Sequence, residues 1–474
     1  MTMTGFRDPV HGFIQLTEYE QALVDSTPFQ RLRNIRQLGT TYLIYHGAEH
    51  TRFGHSLGVM HLVTRSFDST VANYENENSN NLFSSDDKIN QAKIKWYRQV
   101  LRLIALTHDL GHPPFSHAGE GLYHDKLKHE HYTKAIIEMD EIAKHIKNID
   151  KSLRRQLRKD TALNAKTLRD KYGIKTITPK LLWTVYQEKL RVSSKDYSFS
   201  EFSFIRSFMD GELDADKMDY LLRDSLYCGV NYGTYDLDRL FNTITIYKDK
   251  DKDRLKLSLA LSSGGVQAFE EFVLARYFMF IQVYFHKTRR FFDKLLSKAI
   301  SEILPQGKFP SPKDIYEYLK WDDTYVIHKM KKFAKDNPDS HSARYLTRKV
   351  MECVYGTSVH ANDSDPKLLR TLDDYFKKEY SSEDVEIVVD VADKETHKLL
   401  LSAYMDSNTI EGADIKVINA KENIVENLVD KSLVLKGISS KINICRMYVS
   451  TKNQQQMNNI KKYIRNNVQK EEIV

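Results

Sequence analysis

Residues 106–121, LTHDLGHPPFSHAGEG, place His108, Asp109, His112 and His117 within ten positions. Imidazole nitrogen and carboxylate oxygen together suit divalent metals such as Mg, Mn, Fe or Zn. An adjacent His-Asp pair at a helix end sends its side chains roughly 100° apart. Further ligands must therefore come from elsewhere, and His55 in HTRFGHSLG and Asp216 in DADKMDYLLRDS stand out. A lone His-Asp dipeptide carries little weight. Buried, unpaired histidines and aspartates are costly, so a cluster of four at a Gly/Pro-rich helix end points to a metal or catalytic role.

The elements that must position these groups are mostly helical. QVLRLIALTHDLG reads as a buried helix with His108 and Asp109 at its C-terminal end, closed by Gly111, Pro113 and Pro114. HSLGVMHLVTRSF puts Met60, Val63 and Phe67 on one helical face. STPFQRLRNIRQLG predicts a helix capped at Thr27, with Pro28 in its first turn, apolar Phe29, Leu32 and Ile35, and a stop at Gly39. A polar loop is expected over 73–96, most biased at 73–88, and a lysine-rich helical insertion over about 140–195. NTITIY and LKLSLAL flank KDKDKDR as a hairpin with a solvated tip. After residue 300, VEIVVDVA, IKVINA and SKINICRMYV read as strands, with a final basic helix near 453–469. The fold class is mainly α, with a small β-hairpin and a smaller α+β C-terminal part. The division is a core over 1–300 and a regulatory or oligomerisation region over 301–474.

Composition sets outer bounds. The 474 residues are 41% hydrophobic, enough for a sizeable core, and carry a net charge of +7. That mild excess is compatible with polyanionic ligands without requiring them. Cys228, Cys353 and Cys445 are far apart, which argues against a disulfide framework or cysteine zinc site and fits a reducing compartment. The greasiest run, FVLARYFMFIQVYF, is shorter than the ~20 apolar residues a bilayer needs. No secretory signal is visible at the N-terminus. The expectation is a cytoplasmic protein without a membrane partner.

RFGHSLG, HDLGHPPFSH and DADKMDYLLRD together resemble the HD-domain superfamily of metal-dependent phosphohydrolases. The resemblance is greatest to the deoxynucleoside triphosphate triphosphohydrolases related to the vertebrate sterile-alpha-motif/HD-domain enzyme. DPVHGFIQL and DSTPFQRLRNIRQLG add to it. It covers roughly 6–135 and 205–295, is weak in 140–195, and is only general after 300. It implies an HD-domain helical core with His55, His108, Asp109 and Asp216 as metal ligands. The divalent ion would act as a Lewis acid and activate water for attack on phosphorus.

The same resemblance implies the remaining roles. Arg52, Lys217 and Arg276 would contact phosphates, and His117 would be the general acid. His112 and His129 would contact phosphate or orient water, with His131 as the runner-up for His129. Gln37 and Asp224 would hold a 3′-hydroxyl, while Leu38, Tyr220 and Tyr284 pack against the sugar. Asp25, Gln30 and Arg33 match residues that recognise a dNTP or GTP activator in a dimer or tetramer. The chain departs from the vertebrate pattern with HPP at 112–114 and with Phe280 in place of a histidine. The implied activity is cleavage of dNTPs to deoxynucleoside and triphosphate, controlling dNTP pools or limiting phage. The rival readings are an HD-type phosphodiesterase or nucleotidase and a non-catalytic nucleotide-sensing module. The cations look spread along the chain rather than gathered with interleaved aromatics, which gives nucleic-acid binding little support.

Overall fold

The computed structural model describes residues 3–124, 127–186, 198–251, 254–362, 364–395, 415–438 and 441–468. Its organising element is the long helix Arg52–Asn78, which buries Leu57, Met60, Val63, Phe67 and Val71. It packs on the helix Asp87–Thr107 and on the helix Ala215–Cys228. Asp86 caps the second helix by accepting the Ile89 N–H, and His108 and Asp109 follow directly after its last turn. The third helix starts at Asp214, whose side chain accepts the Lys217 N–H, and ends at Gly229 with φ +68°. At Gly58 the first and third helices nearly touch: a β-carbon there would lie 1.9 Å from Asp219 Oδ1. Only glycine permits that approach, and it brings His55 and Asp216 to one level of the bundle.

Three small sheets sit on this helical body. Strands β1 (Met3–Asp8) and β2 (Gly12–Thr17) form an antiparallel pair. Strands β3 (Ile244–Asp251) and β4 (Arg254–Ser262) form the expected hairpin, whose tip at 252–253 lies outside the described residues. Strand β5 is Glu352–Gly356, β6 is Val385–Glu395, β7 is Lys416–Asn419, β8 is Ile424–Asn427 and β9 is Lys441–Thr451. β7 joins the hairpin in parallel beside β4, with β8 at the edge. β9 lies between β5 and β6 in an antiparallel sheet. The helices Asp365–Glu379 and Gln454–Asn467 cover one face of that sheet, around Phe376, Cys445, Met447 and Ile460. Tyr448, Ile444 and Ala392 belong to the main core that begins at Ile14. The class is mainly α with small sheets, and no helix of the described residues is long and apolar enough to cross a membrane.

Two stretches differ from expectation. The helix foreseen up to Gly39 is α-helical only over Thr27–Gln30, continues as a 3-10 turn over Arg31–Asn34, and is preceded by Ser26 rather than capped at Thr27. Tertiary partners take the backbone groups from there on. The Arg36 N–H donates to Asp323, the Gln37 N–H to the His50 carbonyl, and Ile35 O accepts from the Arg52 N–H. The polar stretch 73–88 is a loop only between Asn78 and Asp87, and residues 87–96 are helical. Buried Val71 and Tyr74 carry the first helix to Asn78. Glu75 then organises the turn by accepting the Leu82 N–H and the Asn90 amide. In the insertion, Asp140–Thr161, Ala165–Tyr172 and Pro179–Tyr186 are helices, and 187–195 lie outside the described residues.

Candidate active site and metal centre

His55, one turn into its helix, donates from Nδ1 to Asp219 Oδ2 at 2.8 Å. That bond leaves the Nε2 lone pair facing Asp216 Oδ1 at 2.9 Å and Asp109 Oδ2 at 3.7 Å. His108 donates from Nδ1 to the Ala105 carbonyl at 2.7 Å, which turns its Nε2 toward Asp109 Oδ1 at 3.3 Å and Asp216 Oδ1 at 3.9 Å. That buried Nε2 has no hydrogen-bond partner among the described residues. In both cases a hydrogen bond at one ring nitrogen fixes the tautomer and aims the other, as for metal-bound imidazoles. A lone pair facing two carboxylates is repulsive unless a cation lies between them. Without a cation a proton takes that place: burial alone would lower the His55 pKa, yet hydrogen bonds to Asp216 and Asp219 carry it up to about 10. A metal ion at the centre would therefore displace the Nε2 proton. Burial pushes against the Asp216 charge, but the His55 hydrogen bond holds its pKa at about 2. His55, His108 and Asp216 bring ligand atoms within 4.8 Å of one another, and Asp109, which groups equally with His112 and His129, stands beside them. Two imidazoles and nearby carboxylates fit a divalent cation of the Mg, Mn, Fe or Zn class.

The His55 support has its own foundation. Asp219 is fully buried and also accepts from His11 Nε2 at 2.6 Å and from Arg223 Nε at 2.8 Å. Burial would raise its pKa, but the Arg223 guanidinium holds it well below the carboxylate range. Arg223 bonds Asp8 in turn, so the DPVHG segment buttresses the centre from behind.

A second group lies beside the first. His112 Nε2 is 3.2 Å from Asp109 Oδ1, and His129 stacks on His112 with centroids 3.8 Å apart. Glu120 collects His129 Nδ1 at 3.0 Å and His117 Nδ1 at 3.2 Å. Burial opposes the Glu120 charge, yet these histidines hold it ionised. The His117 side chain is 65% exposed, at the rim of the cavity that these groups line. His131 instead accepts the Lys128 N–H and does not face the cavity.

These groups form one wall of a cavity of about 1340 Å³. Arg52 donates from Nε to Ser116 Oγ at 2.7 Å and pairs with Asp109. Lys217 pairs with Asp214 and donates to the Gly211 carbonyl at 2.7 Å. Arg276 is buried and bonds the Glu395 carbonyl at 3.1 Å, with Glu212 at 3.9 Å. On the other side Tyr284 donates to Asp224 Oδ2 at 2.7 Å, and His50 donates to Asp224 Oδ1 at 2.7 Å. Gln37, Leu38 and Tyr220 also line the cavity. Phe280 and Tyr284 stand on a π-helical turn, Phe280–Tyr284, whose wider ring is closed by the Phe285 N–H bonding Phe280 O at 2.8 Å.

The cavity thus gathers every residue expected to hold metal, phosphate or sugar except His55, which stands behind it. It does not gather Asp25, Gln30 or Arg33. Asp25 ends the Glu18–Val24 helix, Gln30 bonds the Val24 carbonyl, and Arg33 donates to Gln30 while lying 3.5 Å over the Phe53 ring. Sequence reasoning missed Asp219, Arg223, Glu120, Ser116 and His50. Asp219 and Arg223 lay in the quoted DADKMDYLLRD motif, and their spacing of four on one helical face was the available signal.

Fold and site together define a metal-binding HD-type helical protein. Residues 235–458 match the family model described as an HD associated region. YwfO of Bacillus subtilis is 32% identical over 369 residues, covering 74% of this chain and 71% of that protein. The zebrafish deoxynucleoside triphosphate triphosphohydrolase SAMHD1 is 39% identical over 134 residues, 27% of this chain and 19% of its own length. The chain spans about half the length of several other curated relatives. A crystal structure of a hypothetical protein from Aquifex aeolicus superposes with a TM-score of 0.67 at 25% identity, covering 98% of this chain and all of its own. The chain belongs to the HD-domain family, in the branch related to the deoxynucleoside triphosphate triphosphohydrolases.

Proposed function

We propose that the protein is a dNTP triphosphohydrolase, releasing deoxynucleoside and inorganic triphosphate. The observation that carries this is the convergence of three cations, Arg52, Lys217 and Arg276, with the His/Asp centre on one side of a cavity. The opposite side offers Tyr284, Tyr220 and Asp224 at a scale that suits a sugar. His55, His108, Asp109 and Asp216 would hold a divalent cation, which would supply Lewis-acid chemistry at the centre. Arg52, Lys217 and Arg276 bind the triphosphate charges, each already oriented by a carboxylate or hydroxyl. Water adds to the α-phosphorus and the bond to the 5′-oxygen breaks. His117, steadied by Glu120, delivers a proton to that oxygen. Asp224, held from two sides by His50 and Tyr284, accepts a sugar hydroxyl. The Tyr284 ring fills the space a 2′-hydroxyl needs, so ribonucleotides are disfavoured.

The test is incubation with each dNTP, singly and mixed, with Mg or Mn, followed by chromatography. Deoxynucleoside plus triphosphate supports the reading. Products formed only from monophosphate esters, cyclic nucleotides or oligonucleotides reassign the site to a phosphodiesterase or nucleotidase. Activity that appears only in mixtures supports nucleotide activation and an oligomer.

A further inference from the structure

The segment 140–186 contains twelve Lys and Arg against five Asp and Glu, a net +7. The whole chain is also +7, so the other 427 residues are neutral in sum. The positive excess that looks dispersed in the sequence is concentrated on this one helical unit.

Its main helix, Asp140–Thr161, is sharply two-sided. Ile142, Ile146, Ile149, Leu153 and Leu157 are buried against the core. Lys144, Lys147, Lys151, Arg155 and Arg158 are all exposed. At 100° per residue these five fall within an arc of about 80°, opposite the buried row, and extend about 21 Å along the axis. None of the five forms an ion pair with a described residue. The acids of the unit are occupied elsewhere: Asp150 by Arg154, Asp160 by Lys95, Asp170 by Arg169, and Glu141 by the Thr27 N–H. Asp140 lies in the first turn, beyond the end of the stripe.

We propose that this face is a docking surface for the phosphate backbone of a nucleic-acid duplex. A straight row of long, unpaired cations matches a rod carrying one charge per ~1.7 Å of axis. The stripe has no aromatic residue on which unpaired bases would stack, so a duplex is favoured over a single strand. An anionic membrane is the poorer fit, because the apolar face a bilayer would need is already buried in the core. Binding is sequence-independent and leaves the catalytic cavity free.

The experiment measures fluorescence anisotropy of the full chain with a labelled 20-base-pair DNA duplex, the matching single strand, and phosphatidylserine/phosphatidylcholine vesicles, across salt. Wild-type protein binds the duplex at low salt, with affinity falling as salt rises by a log–log slope of about −4 to −5 for five phosphates neutralised. The triple variant Lys147→Glu, Lys151→Glu, Arg155→Glu weakens binding at least tenfold and makes the slope shallower by about 2.7. A Lys→Gln version of the two lysines moves both quantities the same way by less. Circular dichroism and nucleotide hydrolysis, both unchanged in the variants, separate this from misfolding and from failure of the catalytic reading. No duplex binding at low salt, an unaltered slope in the triple variant, or preference for the single strand or the vesicles each overturns the proposal.

Discussion

At the scale of single residues, the centre is built by hydrogen bonds that choose which nitrogen of each histidine looks inward. Asp219 makes that choice for His55 and the Ala105 carbonyl makes it for His108. Asp219→Asn keeps the shape but weakens the orienting charge, so metal affinity is expected to fall 10- to 100-fold, read by metal titration and elemental analysis. Asp216→Ala removes a proposed ligand outright and is expected to abolish both stoichiometric metal and turnover. Retention of either would remove Asp216 from the centre. Tyr284→Phe tests the other wall. It leaves the buried Asp224 carboxylate with His50 alone, and the expected cost is about 1–3 kcal/mol of folding stability in urea. The same change is expected to narrow the preference for substrates with a 3′-hydroxyl.

At the scale of elements, the loop between the HD pair and His117 is held from outside. Phe115 and Ser116 both have positive φ, 57° and 55°, a backbone that non-glycine residues adopt only when neighbours enforce it. The enforcing group is Asp323, on the helix Asp323–Asp336, which accepts the Phe115 N–H at 2.7 Å and the Arg36 N–H at 3.0 Å. Ser116 is thereby set to donate to the Arg36 carbonyl and to accept from Arg52. Burial is the largest influence on Asp323 and lifts its pKa to about 6, against the pull of those backbone donors. A carboxyl whose pKa is higher folded than unfolded contributes stability below the unfolded value, and that contribution is lost as pH rises through the folded value. Between about pH 4 and 6 the wild-type protein is therefore expected to lose on the order of 3 kcal/mol from this group. Asp323→Asn has no such titration, so its urea-derived stability should be flatter across that window, and identical pH profiles would show that Asp323 is not the group responsible. None of this was legible in the sequence, where Asp323 is one acid among many. The motif residues were legible because local spacing carried them, whereas the clamp joins positions more than 200 residues apart.

At the scale of the molecule, the same distinction separates what sequence shows from what folding adds. The buried HD helix, the hairpin and the late strands followed from periodicity. The pairing of β4 with β7, and the entry of β6 into the cavity wall, depend on contacts that no local pattern encodes. β6 is one of the places where the C-terminal elements meet the helical body. Asp390 on β6 is fully buried and takes two hydrogen bonds from Arg290, at 2.9 and 2.6 Å, with Lys294 at 3.5 Å. Arg290 and Lys294 stand on the helix Lys287–Ile303 and line the cavity, and five residues along β6 the Glu395 carbonyl holds Arg276. Breaking a buried pair by removing one member commonly costs 3–5 kcal/mol. The Arg290 side chain is 23% exposed here, so Asp390→Ala is expected to cost about 2–3 kcal/mol in urea unfolding. Metal stoichiometry should be unchanged, because Asp390 lies apart from the centre. KM for the nucleotide should rise more than kcat falls, since displacement of β6 loosens Arg276 but leaves the His/Asp centre in place. A loss of stability with no change in KM would mean that this strand fastens the lobe without shaping the phosphate site.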